Sequence, residues 1–315
     1  MALSITTTYA GEFAGKYIAA ALLSAPTIEN GGVTVIPNVK FKHIIQKFAT
    51  DSIIKDATCD FDASGTVTLT ERVLQTEDFQ VNLTLCKKTF HSTWQSMEMG
   101  YSSFDQLPTS FADYLIAYAA EKVAASMEST IWVGANATAG EFAGISTQIA
   151  LDAALPSAQE VAGTTVTSSN VIAQLGLLVD AIPARLYGKE GLRLYVSQGI
   201  AKAYVRALGG FAASGVGANG ANNEGTMWYA NGALSFDGIP IFMANGMAAN
   251  TAIATTVDNL YFGCSLLSDL SEVKVLDMSD LDGSNNVRVI MKFAAGATYG
   301  WVEDICTYGI TNSAN

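Results

Sequence analysis

From Leu107 to Gly134 the apolar residues Phe111, Leu115, Tyr118, Met127 and Ile131 recur close to every third or fourth position, which predicts one amphipathic helix. Pro108 and Thr109 mark its start, Ser110 with Asp113 makes a capping-box pattern, and Gly134 supplies a stop. Asp113, Glu121, Lys122 and Glu128 fall mostly off the apolar stripe. About 25 residues at about 1.5 Å each give a rod of roughly 37 Å, against a mean helix of about 11 to 12 residues. A rod of that length suits the backbone of a whole subunit and carries no catalytic pattern.

The stretch T-V-T-L-T-E-R-V-L over 66–74 has the period of a strand instead. Val67, Leu69 and Val73 fall on one side, Thr68, Thr70 and Arg72 on the other, and Glu71 interrupts the apolar side. Phe79, Val81, Leu83 and Leu85 then alternate with Gln80, Asn82 and Thr84. With a candidate strand at Ile53–Phe61 and turn residues at 62–65 and 75–78, these segments predict a long hairpin with one apolar and one polar face. A lone hairpin is marginal in water, so it must lie on its own domain or on a neighbouring subunit.

The remaining pattern is mixed. Tyr9 to Ala25 reads as a short amphipathic piece broken by Pro26, Asn30, Gly31 and Gly32, and Val33–Ile36 as a strand. Asn170 precedes a helix whose apolar side is Val171, Leu175, Leu178, Val179, Ile182 and Leu186, with Pro183 kinking or ending it. Leu192–Val196 reads as a strand and Gln198–Leu208 as a helix, an alternation that suggests a small α/β layer. Six glycines in the 17 residues 209–225 predict a flexible loop. Ala233–Met243 reads as a hairpin turned at Asp237-Gly238, 150–169 and 245–258 as small-residue loops, and Leu260–Phe262, Val273–Leu276, Val287–Phe293 and Gly300–Thr307 as strands of a closing sheet. The fold class is α+β.

Composition narrows the function. Of 315 residues 50% are hydrophobic and only 15% charged, below the usual quarter; so little charged surface points to extensive burial between subunits, with an Ala/Gly-rich globular monomer as the alternative. The net charge is −12, and no Lys or Arg occurs between Arg206 and Lys274. Nucleic-acid binding needs clustered cations. The nearest group, Lys40, Lys42, Lys47 and Lys55, is diluted by Asp51 and Asp56, so contact with packaged DNA is expected to be weak. The cysteines, Cys59, Cys86, Cys264 and Cys306, form no C-x-x-C and read as reduced thiols. No run of 18 apolar residues occurs, so no membrane span is expected. Tyr17–Ala25 has the length of a signal-peptide core, but Glu12 balances Lys16 ahead of it, and a retained helix is the expectation.

Candidate chemistry is sparse. His43 and His91 lack metal-site spacing. Gly215, Gly217 and Gly220 spell G-x-G-x-x-G, but inside a Gly/Ala/Asn loop that follows a helix, where a dinucleotide motif would follow a strand. Asp280, Asp282 and Gly283 match part of a calcium loop whose end positions, Met278 and Val289, are not ligands. No catalytic residue, cofactor or metal is expected, and an enzyme is not the reading.

The order of elements resembles the HK97-type major capsid protein of tailed bacteriophages. The words that carry the resemblance are Glu128–Gly134 followed by Phe142-Ala-Gly144-Ile145, Leu192–Val196 before Gln198–Leu208, Asp237-Gly238-Ile239-Pro240-Ile241, and Asn286–Lys292 with Tyr299-Gly300. The resemblance implies an N-terminal arm over 1–50, an extended hairpin loop over 51–90 and a peripheral domain with a spine helix over 91–169. An axial domain over 170–266 and peripheral return strands over 267–315 would follow. It implies hexamers and pentamers of an icosahedral head around double-stranded DNA, assembled in the host cytoplasm, with a portal protein and a scaffolding protein that is separate or already cleaved. As assembly-interface residues it points to Thr68, Thr70, Arg72 and Phe79 on the hairpin, Lys40 and Lys42 on the arm, and Gly215, Gly217 and Gly220 at an axial tip. Two alternatives stand beside it: an encapsulin-type nanocompartment shell, and a secreted adhesin or surface-layer module.

Overall fold

The computed structural model describes residues 25–50, 53–57, 59, 65–86, 109–209, 234–264 and 273–314, with the backbone alone at 109–120, 209, 273–274 and 280–281. In chain order its elements are α1 (Pro26–Glu29), β1 (Thr34–Ile36), β2 (Lys42–Thr50), β3 (Val67–Gln75), β4 (Glu77–Cys86), α2 (Thr109–Val133), α3 (Ile145–Ile149), β5 (Glu160–Val161), α4 (Val171–Asp180), β6 (Leu192–Val196), α5 (Gln198–Gly209), β7 (Ser235–Phe236), β8 (Ile239–Met243), β9 (Ala252–Thr256), β10 (Leu260–Cys264), β11 (Val273–Asp277), α6 (Ser279–Asp282), β12 (Asn286–Tyr299) and β13 (Cys306–Tyr308).

The described residues divide into two compact units. The smaller holds β4 from Asp78, α2 up to Met127, β11, α6 and β12 up to Ala294. There β11 pairs antiparallel with β12 from Val273↔Met291 to Asp277↔Val287, and β4 also pairs with β12. Alternation along β12 buries Val287, Val289 and Met291, and Phe79 packs 5.6 Å from Phe293.

The larger unit is built on a six-stranded mixed sheet in the order β5-β13-β9-β6-β8-β7. Its core joins that sheet to α4 and α5: Val171, Leu175, Leu178, Ile182 and Leu186 meet Leu194, Ile200, Tyr204 and Ile241. The apolar positions expected from Val171 to Leu186 are all buried, but the helix ends at Asp180, ahead of Pro183. Asn170 stands at the N-cap position, but its Oδ1 accepts from the Thr167 amide at 2.7 Å instead of capping the helix. The turn between β7 and β8 places both central residues at positive φ, Asp237 at 47° and Gly238 at 79°, the twist a two-residue hairpin needs. A second sheet in this unit pairs β1 parallel to β10, and β10 antiparallel to the Ala295–Tyr299 part of β12.

Several expectations change. Residues 66–74 and 79–85 are not partners in one hairpin: β3 pairs along its whole length with β2, and β4 goes to β12. Residues 53–57 are not strand. Strand β2 was hidden because Ile44 and Ile45 are adjacent and each face mixes apolar and charged residues, so no alternation shows. The amphipathic piece expected from Tyr9 lies, up to Ser24, outside the described residues; Pro26 begins the short helix α1, at a position where its missing N–H costs nothing. Residues 245–258 contain β9, a buried central strand whose Ala252, Ala254 and Thr255 gave no strand signal. Of 300–307 only Cys306 and Thr307 are strand, as part of β13. The segment 25–50, expected within an arm, is tied to its own chain through β1 and β2. The cysteines are thiols; Cys59 and Cys86 are exposed, Cys264 and Cys306 buried, and burial pushes the Cys306 thiol up to about 12. The loop 209–225 lies outside the described residues beyond its first position.

Candidate assembly surface

The β2–β3 hairpin has its two faces fixed by register. Antiparallel pairing sets Ile44 opposite Val73, Gln46 opposite Glu71, Phe48 opposite Leu69 and Thr50 opposite Val67, and each opposed pair shares one face. That outer face is bare: Ile44 is 51% exposed, Phe48 71%, Leu69 50%, Val73 44% and Val67 67%. Gln46 Nε2 donates to Glu71 Oε1 at 3.4 Å across its middle. Single exposed apolar residues are ordinary, but a contiguous set on one strand pair marks a contact surface.

The inner face carries Ile45, Lys47, Thr68, Thr70, Arg72 and Leu74. Burial rises toward the root, where Leu74 is fully buried. Gly263 and Gly296, opposed in the β10–β12 ladder, make its seat. A β-carbon on Gly263 would stand 2.8 Å from Leu74 Cδ2, and one on Gly296 2.2 Å from the Gln75 carbonyl oxygen. Only the absence of both side chains lets the hairpin root cross the sheet this closely. Burying Leu74 contributes about 1.5–3 kcal/mol.

Two residues outward, the Arg72 guanidinium lies over the Tyr299 ring at 4.0 Å, and Nη1 donates to Asp152 Oδ2 at 2.8 Å. The Tyr299 hydroxyl donates to the same oxygen at 2.6 Å, and the Ala154 amide to Oδ1 at 3.0 Å. Burial raises the Asp152 pKa, but the hydrogen bonds from Tyr299, Ala154 and Arg72 outweigh it and hold the carboxyl below its ordinary value. Lys47 pairs with Glu303, and these side chains are 27% and 49% exposed; such pairs contribute about 0–1 kcal/mol.

A second cluster pins the chain ahead of the hairpin. Glu128, in the last turns of α2, is fully buried, although its spacing placed it off the apolar stripe. Its carboxylate accepts from the Thr27 hydroxyl at 2.6 Å, the Thr27 amide at 3.1 Å and the Gly246 amide at 3.4 Å. Trp132 Nε1 donates to the Thr27 hydroxyl at 2.9 Å. The Tyr195 hydroxyl and Arg193 hold the Gly32 and Gly31 carbonyls at 2.6 and 2.9 Å. With burial as the largest cause, the Glu128 pKa is raised.

The structure sorts the expected interface residues. Thr68, Thr70 and Arg72 share the inner face, and Arg72 is engaged by its own chain. Phe79 is half-buried beside Phe293. Lys40 and Lys42 are exposed, Lys42 over the Phe41 ring at 5.0 Å. Gly215, Gly217 and Gly220 lie outside the described residues. Sequence reasoning missed Ile44 and Phe48 because β2 itself was missed; the apolar side of β3 was legible. Among the described residues no group of three or more His, Cys, Asp or Glu could hold a metal ion, and no described helix is long and apolar enough to cross a membrane.

No protein-family model and no curated protein matches the chain. Solved structures do. The capsid of a native GTA particle aligns over 99% of this chain and 95% of that chain with a TM-score of 0.60 at 12% identity. A chain of Mycobacterium phage Bobi aligns over 96% and 95% with a TM-score of 0.59 at 13% identity. The capsid of Myoviridae phage XM1 aligns over 94% of each chain with a TM-score of 0.59 at 10% identity.

The chain has the phage-capsid fold.

Identity this low shows the fold alone. The phage-capsid fold here is a mixed α+β chain matched over nearly its whole length.

Proposed function

We propose that this chain is the major capsid protein of a tailed bacteriophage, a structural subunit that assembles into hexamers and pentamers of an icosahedral head around double-stranded DNA. The observation that carries the reading is the outer face of β2–β3: Ile44, Phe48, Leu69, Val73 and Val67 form an apolar strand face exposed on the isolated subunit. In a shell a second copy of the chain covers it. The fold likeness to capsid chains supports that occupant, and so does the low charged fraction of 15%.

On this reading the chain has the HK97-type fold, with α2 as spine helix and residues 170–266 as axial domain around the capsomer centre. Its partners are further copies, a portal protein and a scaffolding protein, and its acidic balance keeps contact with packaged DNA weak. No enzymatic activity is part of this reading. The virion is its location, after assembly in the host cytoplasm.

Size-exclusion chromatography and negative-stain microscopy of the purified chain test the reading. Rings of five and six subunits or closed shells are expected. A monomer that persists at high concentration with scaffolding protein supplied overturns it. Shells enclosing a cargo protein instead of a genome would replace the virion by a nanocompartment.

A further inference from the structure

Beyond Leu74 the inner face of the hairpin does not pack as a core. A cavity of about 210 Å³ lies against it, lined among others by Ile45, Lys47, Thr70, Arg72, Asp152 and Trp301. Across that gap, among the described residues, the charged contacts from the inner face are Arg72 to Asp152 and Lys47 to Glu303. The root is held by Leu74, by the Gln75 backbone against Gly296 and by the Val39 amide on the Cys264 carbonyl at 3.0 Å, all at one end of the rod, so they fix its position more firmly than the angle of its far part. The angle must come from a contact further out.

The two pairs are not equivalent. Lys47 is a flexible stem ending in a point charge, and its partner is half exposed. Arg72 presents a planar group held on two sides, by the Tyr299 ring and by Asp152. Its acceptor is anchored in turn: Asp152 takes the Ala154 amide and the Tyr299 hydroxyl, and its carbonyl accepts from Asn312 Nδ2 at 2.8 Å. The Asp152 side chain is only 14% exposed. A shielded, charge-assisted contact of this geometry resists tilting where the Lys47 pair does not.

We infer that Arg72 is the positioning residue of the hairpin: through Asp152 and Tyr299 it sets the angle at which β2–β3 leaves the subunit, and so aims the outer apolar face at a second copy of the chain. The inference rests on reading that face as an interface. It gives Arg72 a role within one subunit, in place of the intersubunit contact expected from sequence.

The test is a distance measured in the full chain. Spin labels at Thr68→Cys and Glu190→Cys, with Cys59 and Cys86 changed to Ser, report the hairpin angle by double electron–electron resonance. The parent and Lys47→Met give one narrow distribution; Arg72→Met gives a broad one and Arg72→Lys an intermediate one. If Arg72→Met does not fold, Asp152→Asn, which keeps an acceptor for Tyr299, must broaden it instead. A narrow distribution in the folded variant overturns the clamp.

Assembly supplies the second arm. A hairpin aimed correctly about a tenth of the time lowers apparent contact affinity about tenfold, so the subunit concentration at which Arg72→Met begins to assemble should rise by about tenfold or more. Unchanged assembly with a broadened distance overturns the positioning role. Normal assembly of Phe48→Ser/Leu69→Ser instead removes the interface reading, and with it the aim; the distances alone then judge the clamp.

Discussion

Thr27 gives both its donors to Glu128, the hydroxyl to Oε1 at 2.6 Å and the amide to Oε2 at 3.1 Å. The pair ties the segment that enters β1 to the end of α2, with no cation against the carboxylate among the causes of its shifted pKa. Because burial raises the Glu128 pKa above 4.5, the folded chain holds this proton more tightly than the unfolded one. Stability from this group is therefore fully present below about 4.5 and declines as pH rises through the raised folded pKa. Denaturant unfolding of Glu128→Gln against the parent across that range should show the decline in the parent and its loss in the variant. Glu128→Ala, which strands the Thr27 amide, should cost about 1–3 kcal/mol.

Asp152 predicts the opposite sign. Its hydrogen bonds outweigh burial and hold its pKa below 3.8, so the clamp is present above that value and lost as pH falls through the folded pKa. Carboxyl NMR of Asp152 should show the lowered titration, and Arg72→Met should move it back toward the ordinary value. An unmoved titration would mean that Arg72 does not reach the carboxylate in solution.

The glycine seat allows no side chain. In Gly296→Ala the new β-carbon meets the Gln75 carbonyl at 2.2 Å, against backbone that cannot turn away. A loss of about 1–3 kcal/mol in denaturant unfolding is expected, with the damage centred on the hairpin root in hydrogen exchange.

The outer face should be dispensable to the subunit. Phe48 and Leu69 are 71% and 50% exposed, so Phe48→Ser/Leu69→Ser should change stability by no more than about 0.5 kcal/mol per site. The same variant should fail to form rings or shells in sizing and microscopy. A large loss of thermal stability would show that the face is covered within the subunit.

Much of this architecture was legible where one face of an element is buried and the other wet. The buried apolar positions from Val171 to Leu186, on α4 and the turn that follows it, and the two sides of β3 follow directly from period. Strand β2 was not legible, because neither of its faces packs as a core and selection for alternation is absent. Strand β9 was not, because it is buried on both sides and built from small residues. Glu128 could not be placed, since its partners Thr27 and Gly246 are about a hundred residues away in sequence. The seat for Leu74 exists only when Gly263 and Gly296 are paired across strands, which spacing does not reveal. Arg72 was expected at an assembly interface, and its contact with Asp152 of the same chain could not be read from spacing, since the two lie 80 residues apart.

Cryo-electron microscopy of particles assembled from the purified chain, with scaffolding protein if required, tests the central claim most directly. The account predicts Ile44, Phe48, Leu69 and Val73 buried against a second copy, with Arg72 still on its own Asp152. A shell in which that face stays in solvent would contradict it.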